Sequence, residues 1–530
     1  MAATEAAGAR PVNPWIVAPT VGLAALMEVL DISIANVALE HIAGSLAAST
    51  DESTWVLTSY LITNAIVLPM SGWLASTIGR KRYFMGCIIG FSLTSFLCGL
   101  APSLGFLIVF RGLQGITGGG LQPSSQAILA DAFPPQRRGM AFAVYGLAVV
   151  FAPAIGPALG GWITDHFSWR WVFLINVPIG VILSLLTARI VSDPPALIAD
   201  RKARLKRGIK LDYIGFSLLV VGMCAFQIVL DKGQEDDWFA STLITDLSVA
   251  AVLCLTAFTI WELRRADPIV DLRLLGTRNF AVGNLLMLML GFVLLGSTVL
   301  LPEFVQVMLG YTAEDAGLVI SPGGFAVMFL MPVVGMLVTR VDARWLIALG
   351  LLANAFALYR MGSFDLQVDY WTIAWARVYQ SFGLAFLFIP INTVAYYGLA
   401  ADKSNNASAI INMTRNIGGS LGISMATTLL ARRTQTHQAI LVQHASASDA
   451  PYRALLHTLQ QHFMSDAGSA ADALHRAQAA IAQMIAQQAQ LLSFLDDFRL
   501  LALIFVALVP FVAILRRPRA APGEGAARGH

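Results

Sequence analysis

The sequence predicts an all-α polytopic membrane protein, with two six-helix bundles plus two inserted helices and fourteen transmembrane helices in all. Three observations carry this expectation. Of 530 residues, 57% are hydrophobic and 13% charged, against about 25% charged in an average soluble domain. The apolar residues gather into runs that match a bilayer core of about 30 Å, which takes roughly 20 residues per helix. The chain also partly repeats itself at an offset of 263 to 266 residues. A mean hydropathy of +0.68 excludes a disordered chain, an ordinary soluble enzyme and a nucleic-acid binder.

The runs lie at 15–36, 54–75, 83–101, 104–124, 140–163, 171–191, 212–230, 243–262, 280–300, 316–338, 344–361, 371–396, 407–430 and 497–515. None shows the alternating ten-residue pattern of an outer-membrane barrel. With the N-terminus inside, 23 Lys and Arg fall in inner loops and tails, including Arg80, Lys81 and Arg82 and six residues between 201 and 210. The short outer loops hold three: Arg170, Lys232 and Arg360. This asymmetry predicts that both termini are cytoplasmic. The first run has no small-residue cleavage site, so it is expected to stay as a helix. Four cysteines sit inside apolar runs and read as packing residues.

Gly72–Arg80 aligns with Gly335–Ala343. Arg111 and Gln114 align with Arg377 and Gln380, and Gly156 with Gly422. Parallel repeats of this kind place a transport site near the midplane, where the halves meet. The expected organisation is a first bundle over 1–192, a cytoplasmic linker with the two inserted helices over 193–279, a second bundle over 280–515 and a cytoplasmic tail over 516–530. The second bundle includes a long outer segment, 431–496, with an amphipathic helix near 471–490.

Ionisable groups inside spans are expensive to insert and so nominate function. Glu28 and Asp31 lie three apart on one face of the first helix. A carboxylate facing a closable cavity is suited to taking a proton from one side and releasing it to the other. Arg111 is always charged and is suited to pairing such a group rather than carrying the proton. Asn36, Gln114 and Gln122 add polar lining. Arg377 and Arg415 in the second half fit either cavity lining or structural pairing. Gly156, Pro157 and Gly160 lie in a Gly/Pro-rich stretch that suits a hinge at a contact between moving bundles. Gly118–Gly120 lacks the Gly-Lys-Ser/Thr of a phosphate loop, and no Walker sequence occurs. No cofactor or metal is expected: five of the eight His fall in 431–496 at irregular spacing, and protons are the expected coupling ion.

These residues resemble a known group. Leu30–Leu39 resembles the first-helix motif of fourteen-span drug:proton antiporters of the major facilitator superfamily. Gly72–Lys81 resembles their loop between helices two and three, Arg111–Gly115 their fourth-helix motif, and Gly156-Pro157 with Gly160-Gly161 their antiporter motif. Trp169–Gly180 is similar to the EmrB/QacA type. The resemblance implies the major facilitator fold and proton-driven multidrug efflux of small amphiphilic substrates across the bacterial inner membrane, with Asp31 and Arg111 as coupling residues. It also implies a periplasmic membrane-fusion adaptor docked on 431–496 and an outer-membrane channel, alongside contact with membrane lipid. Ser76 stands where the loop motif has Asp, which puts the usual Asp–Arg latch in doubt. A specific metabolite, fatty acid or siderophore as cargo, or a nutrient symporter, is the alternative.

Overall fold

The computed structural model describes residues 13–134, 136–207, 212–265, 268–397, 399, 403–446, 448–465 and 469–515. The expected tail 516–530, Arg10 and Lys210 lie outside them. The described residues form helices and loops without a strand. In the first half these are α1 (Pro14–Val37), α2 (Leu39–Ser45), α3 (Thr50–Ile78), α4 (Arg80–Gly99), α5 (Leu104–Gly118), α6 (Leu121–Ala132), α7 (Arg138–His166), α8 (Trp171–Leu174) and α9 (Asn176–Ile190). Then come α10 (Pro195–Arg207), α11 (Tyr213–Lys232) and α12 (Thr242–Arg264). The second half holds α13 (Arg278–Leu309), α14 (Ala313–Leu337), α15 (Ala343–Met361), α16 (Tyr370–Ala395), α17 (Ser404–Val442), α18 (Ala450–Phe463) and α19 (Ala470–Val512).

Each of the fourteen apolar runs falls on helix. Among the described residues, ten helical spans are long and apolar enough to cross a bilayer, and the bent α7 makes eleven. The runs on α15, α17 and α19 are helical but more polar or more charged. Burial separates centre from periphery: 78% of the bilayer-length window of α16 is buried, but only 17% of that of α12. The inserted helix α12 is therefore turned outward, where its apolar side chains suit lipid.

The halves meet mainly through α7 against α14 and α3 against α17. Small residues make that closeness possible. A Cβ on Gly139 of α7 would come 2.2 Å from Val338 Cγ1 of α14, and one on Gly335 of α14 would come 2.9 Å from Ala143 Cβ.

Two expectations of extent need correction. The run 104–124 is not one straight helix. It breaks at Gly119-Gly120, and α6 carries the span on to Ala132. Side chains there would collide with Tyr83 and Cys87, since a Cβ on Gly120 would lie 2.4 Å from Tyr83 Oη. The amphipathic helix expected at 471–490 is not a separate unit either: it is the start of α19, continuous with the last span. At 1.5 Å per residue, the 39 residues of α17 and 43 of α19 reach about 58 and 64 Å. Both run roughly 30 Å beyond a bilayer core. Outside it they are clamped by Arg433 and His437 on Asp496, and by Thr434 on Ser493 at 3.1 Å.

Candidate functional site

Asp31 and Arg111 are brought together with no exposure of either side chain. Arg111 sits midway along α5, where a guanidinium has no water to solvate it and must be satisfied internally. Its Nη1 donates to Asp31 Oδ2 at 2.6 Å and to Gln114 Oε1 at 2.7 Å, and its Nε donates to the Val56 carbonyl at 3.1 Å. Its charge also lies over the Tyr60 ring, 4.4 Å from the centroid. The second Asp31 oxygen accepts from Gln114 Nε2 at 3.1 Å and Asn176 Nδ2 at 2.6 Å. Ser95 closes the shell by accepting from Gln114 at 2.6 Å. Three donors thus converge on one carboxylate, all from the first half.

Glu28 faces elsewhere. Three residues turn a helix about 300°, so its side chain diverges about 60° from that of Asp31. Asn64 of α3 donates to Glu28 Oε1 at 3.1 Å, the Gln122 side chain of α6 lies alongside, and Oε2 is buried without a partner. Gln122 also accepts from Arg415 of α17 and, at 3.4 Å, from Tyr145. Arg415 Nη1 is buried and unpaired. One glutamine therefore bridges an incompletely matched carboxylate of the first half and an incompletely matched guanidinium of the second. Gln126 continues the seam, accepting from Asn412 at 2.8 Å and donating to Asn392 at 3.3 Å.

At the end of α4 that carries the basic loop, Arg80 is 2% exposed and closes the seam. It pairs with Asp131 at 2.5 Å and donates to Asn405 Oδ1 at 2.7 Å and Ser404 Oγ at 3.0 Å, both near the start of α17. Ser76 plays no part: its hydroxyl bonds back to Gly72 and Trp73 of its own helix.

Gly156 and Gly160 do not lie between the bundles. A Cβ on Gly156 would be 2.2 Å from Ser33 Oγ, and one on Gly160 would be 3.1 Å from Ile34 Cγ2, so both press α7 on α1 within one half. The repeat mate Gly422 presses α17 on α13 in the same way. α7 bends by 48° between Pro153 and Ile155, two to three residues before Gly156 and Pro157. Asn36 is exposed near the end of α1, apart from both networks. Arg377 is buried and donates to Gln380 at 2.5 Å.

Sequence reasoning missed Asn176, Asn64, Ser95, Asp131, Asn405 and Gln126. Asn176 stands inside the Trp169–Gly180 stretch, which was a usable signal. The others are ordinary polar residues among many, and only packing singles them out.

The sequence comparisons bear on this geometry. The family model for the Major Facilitator Superfamily matches residues 21–423. The chain belongs to that superfamily. Within it the chain is EmrB-like: it is 37% identical to the multidrug export protein EmrB of Escherichia coli K12, over 95% of each chain. It is equally 37% identical to the fatty acid resistance protein FarB of Neisseria gonorrhoeae, over 96% of this chain and 97% of that one. Among solved structures, the proton:xylose symporter XylE superposes with a TM-score of 0.59 at 15% identity, covering 95% of this chain and 99% of the other. The human organic anion transporter MFSD10 does so with 0.56 at 13% identity, covering 94% and 99%. Both likenesses speak to the fold alone. The superfamily is one of membrane transporters, and the apolar helices make this chain a multi-pass membrane protein.

Proposed function

We propose that this chain is a proton-driven exporter of amphiphilic small molecules. It would sit in the bacterial inner membrane with fourteen crossings and both termini in the cytoplasm. The observation that carries the reading is the division of labour between two buried carboxylates. Asp31 is saturated by Arg111, Gln114 and Asn176 within one half, whereas Glu28 keeps an open oxygen at the seam with Arg415. A proton arriving on Glu28 changes the charge facing Arg415 through Gln122 and so biases how tightly the halves close. That is what a two-state exchanger requires. Asp31 and Arg111 form the rigid charge pair that Glu28 works beside. Cargo and proton would use the seam in turn, with Arg80, Asp131 and Asn405 as the cytoplasmic seal.

The relatives' names support efflux of drug-like molecules. Equal identity to a fatty acid resistance protein supports fatty acids as a second cargo. The extension built from α17, α18 and α19 suits docking of a periplasmic adaptor that feeds an outer-membrane channel. In everted vesicles, addition of a transported dye collapses a preformed pH gradient if the exchange reading is right. Dye movement with no proton movement would refute it. Adaptor docking fails if co-purification with the neighbouring adaptor survives deletion of 440–490.

A further inference from the structure

The second half repeats the Arg–Gln arrangement of the first but leaves out its acid. At the offset of 266 that relates Arg111 to Arg377 and Gln114 to Gln380, Asp31 corresponds to Ser297. The geometry follows the sequence. Arg377 Nη1 donates to Gln380 Oε1 at 2.5 Å, and Gln380 Nε2 donates to Ser297 Oγ at 2.7 Å. In the first half the same helices carry Arg111 to Gln114 and Gln114 to Asp31. Arg377 is 4% exposed, its Nε has no partner, and among the described residues no carboxylate pairs with it. A buried guanidinium with a free donor and no counter-charge is costly unless an anion joins it.

We infer that the Arg377–Gln380–Ser297 cluster, on the wall formed by α13, α14 and α16, is the subsite that holds the carboxylate head of an anionic amphiphilic cargo; the inference rests on the export reading above. Guanidinium is suited to two-point recognition of a carboxylate, and Ser297, which donates to the Leu294 carbonyl at 3.1 Å and accepts from Gln380, holds Gln380 in place beside it. The residues one turn to either side are apolar and buried: Leu294 and Leu301 on α13, Ile320 and Val327 on α14. They suit an alkyl tail.

The cover over the cluster is built to move. Gly323 of α14 lies directly on it, where a Cβ would come 2.6 Å from Arg377 Cγ and 2.7 Å from Ser381 Oγ. Pro322 precedes it and cannot donate to the Leu318 carbonyl. Tyr370 Oη of α16 supplies that donor instead, at 3.1 Å. Pro322, Gly323 and Gly324 thus mark the place in α14 where a bend would bare Arg377, with Tyr370 completing the carbonyl that such a bend would expose.

The test uses full-length protein in nanodiscs of phosphatidylcholine. Laurate, dodecyltrimethylammonium and acetate are the probes. Laurate binds wild type, and the ratio of laurate to dodecyltrimethylammonium affinity falls about tenfold or more in Arg377→Gln. Ser297→Asp supplies the missing acid inside the protein and lowers the same ratio without removing the guanidinium, so it speaks even if Arg377→Gln folds poorly. An unchanged ratio in Ser297→Asp overturns the inference, as does acetate displacing laurate at equal concentration. Export is scored separately in everted vesicles. Proton-coupled export of the cation without laurate binding leaves the export reading standing and sinks the subsite. Laurate binding that depends on Arg377, without any proton-coupled export, keeps the subsite and sinks the export reading.

Discussion

Removing the charge of Asp31 should harm the fold less when Arg111 goes with it. In Asp31→Asn, the three donors that now share a carboxylate, Arg111 Nη1, Gln114 Nε2 and Asn176 Nδ2, face a single carbonyl oxygen and an amide that is itself a donor. Arg111, with no exposure, is left as an uncompensated buried charge. Loss of one partner of such a pair costs about 3–5 kcal/mol. Arg111→Met leaves Asp31 in the same position and should cost a similar amount. In the double variant neither charge remains, and because loss of a whole buried pair is often close to neutral, the expected penalty falls short of the sum by more than either single costs, about 3–5 kcal/mol. Melting of purified protein, followed by fluorescence-detected size exclusion, should rank wild type above the double variant and the double variant above both singles. Proton-coupled export should be lost in all three. Additive destabilisation, or a double variant less stable than either single, would refute the claim that the pair acts as a unit.

Gly156→Ala should lower stability by about 1–3 kcal/mol through overpacking against Ser33, and Ser33→Gly in the same chain should restore it, as read by the same melting assay. Arg80→Ala should loosen the cytoplasmic seal. In a background lacking the four native cysteines, disulfide formation between cysteines placed at 72 and 406 should drop several-fold relative to the intact seal. Glu28→Gln should keep the hydrogen bond with Asn64 and fold normally, yet abolish the dye-dependent collapse of the pH gradient in everted vesicles. Retained collapse would move the proton site elsewhere.

Fold class was legible because membrane insertion writes itself into composition: long apolar runs with sorted basic loops admit few alternatives. The repeat was legible too, and it reached further than its matching residues, since Ser297 is informative only by not being Asp. The limits were set by geometry. The sequence could put Glu28 and Asp31 on one face of a helix, but a divergence of about 60° sends them to different partners. The Gly156/Gly160 face showed that some helix comes close without naming α1 over α14. Asp131 could not be singled out as the partner of Arg80, because the two stand 51 positions apart and only packing brings them together. Ser76 put the usual latch in doubt but could not name another acid, and in the structure Ser76 bonds to its own helix while Arg80 pairs with Asp131 of α6.

The overlong helices carry a mechanical consequence. α17 and α19 enter the extension unbroken, clamped to each other by Arg433, His437 and Thr434, so the extension is one arm of a lever whose other arm, of about equal length, lies in the membrane core. With an outer arm of about 30 Å, each degree by which the second half tilts carries the tip sideways by about 0.5 Å. A partner that gripped the tip would feel any tilt of the second half, and by holding the tip would resist that tilt in the same measure.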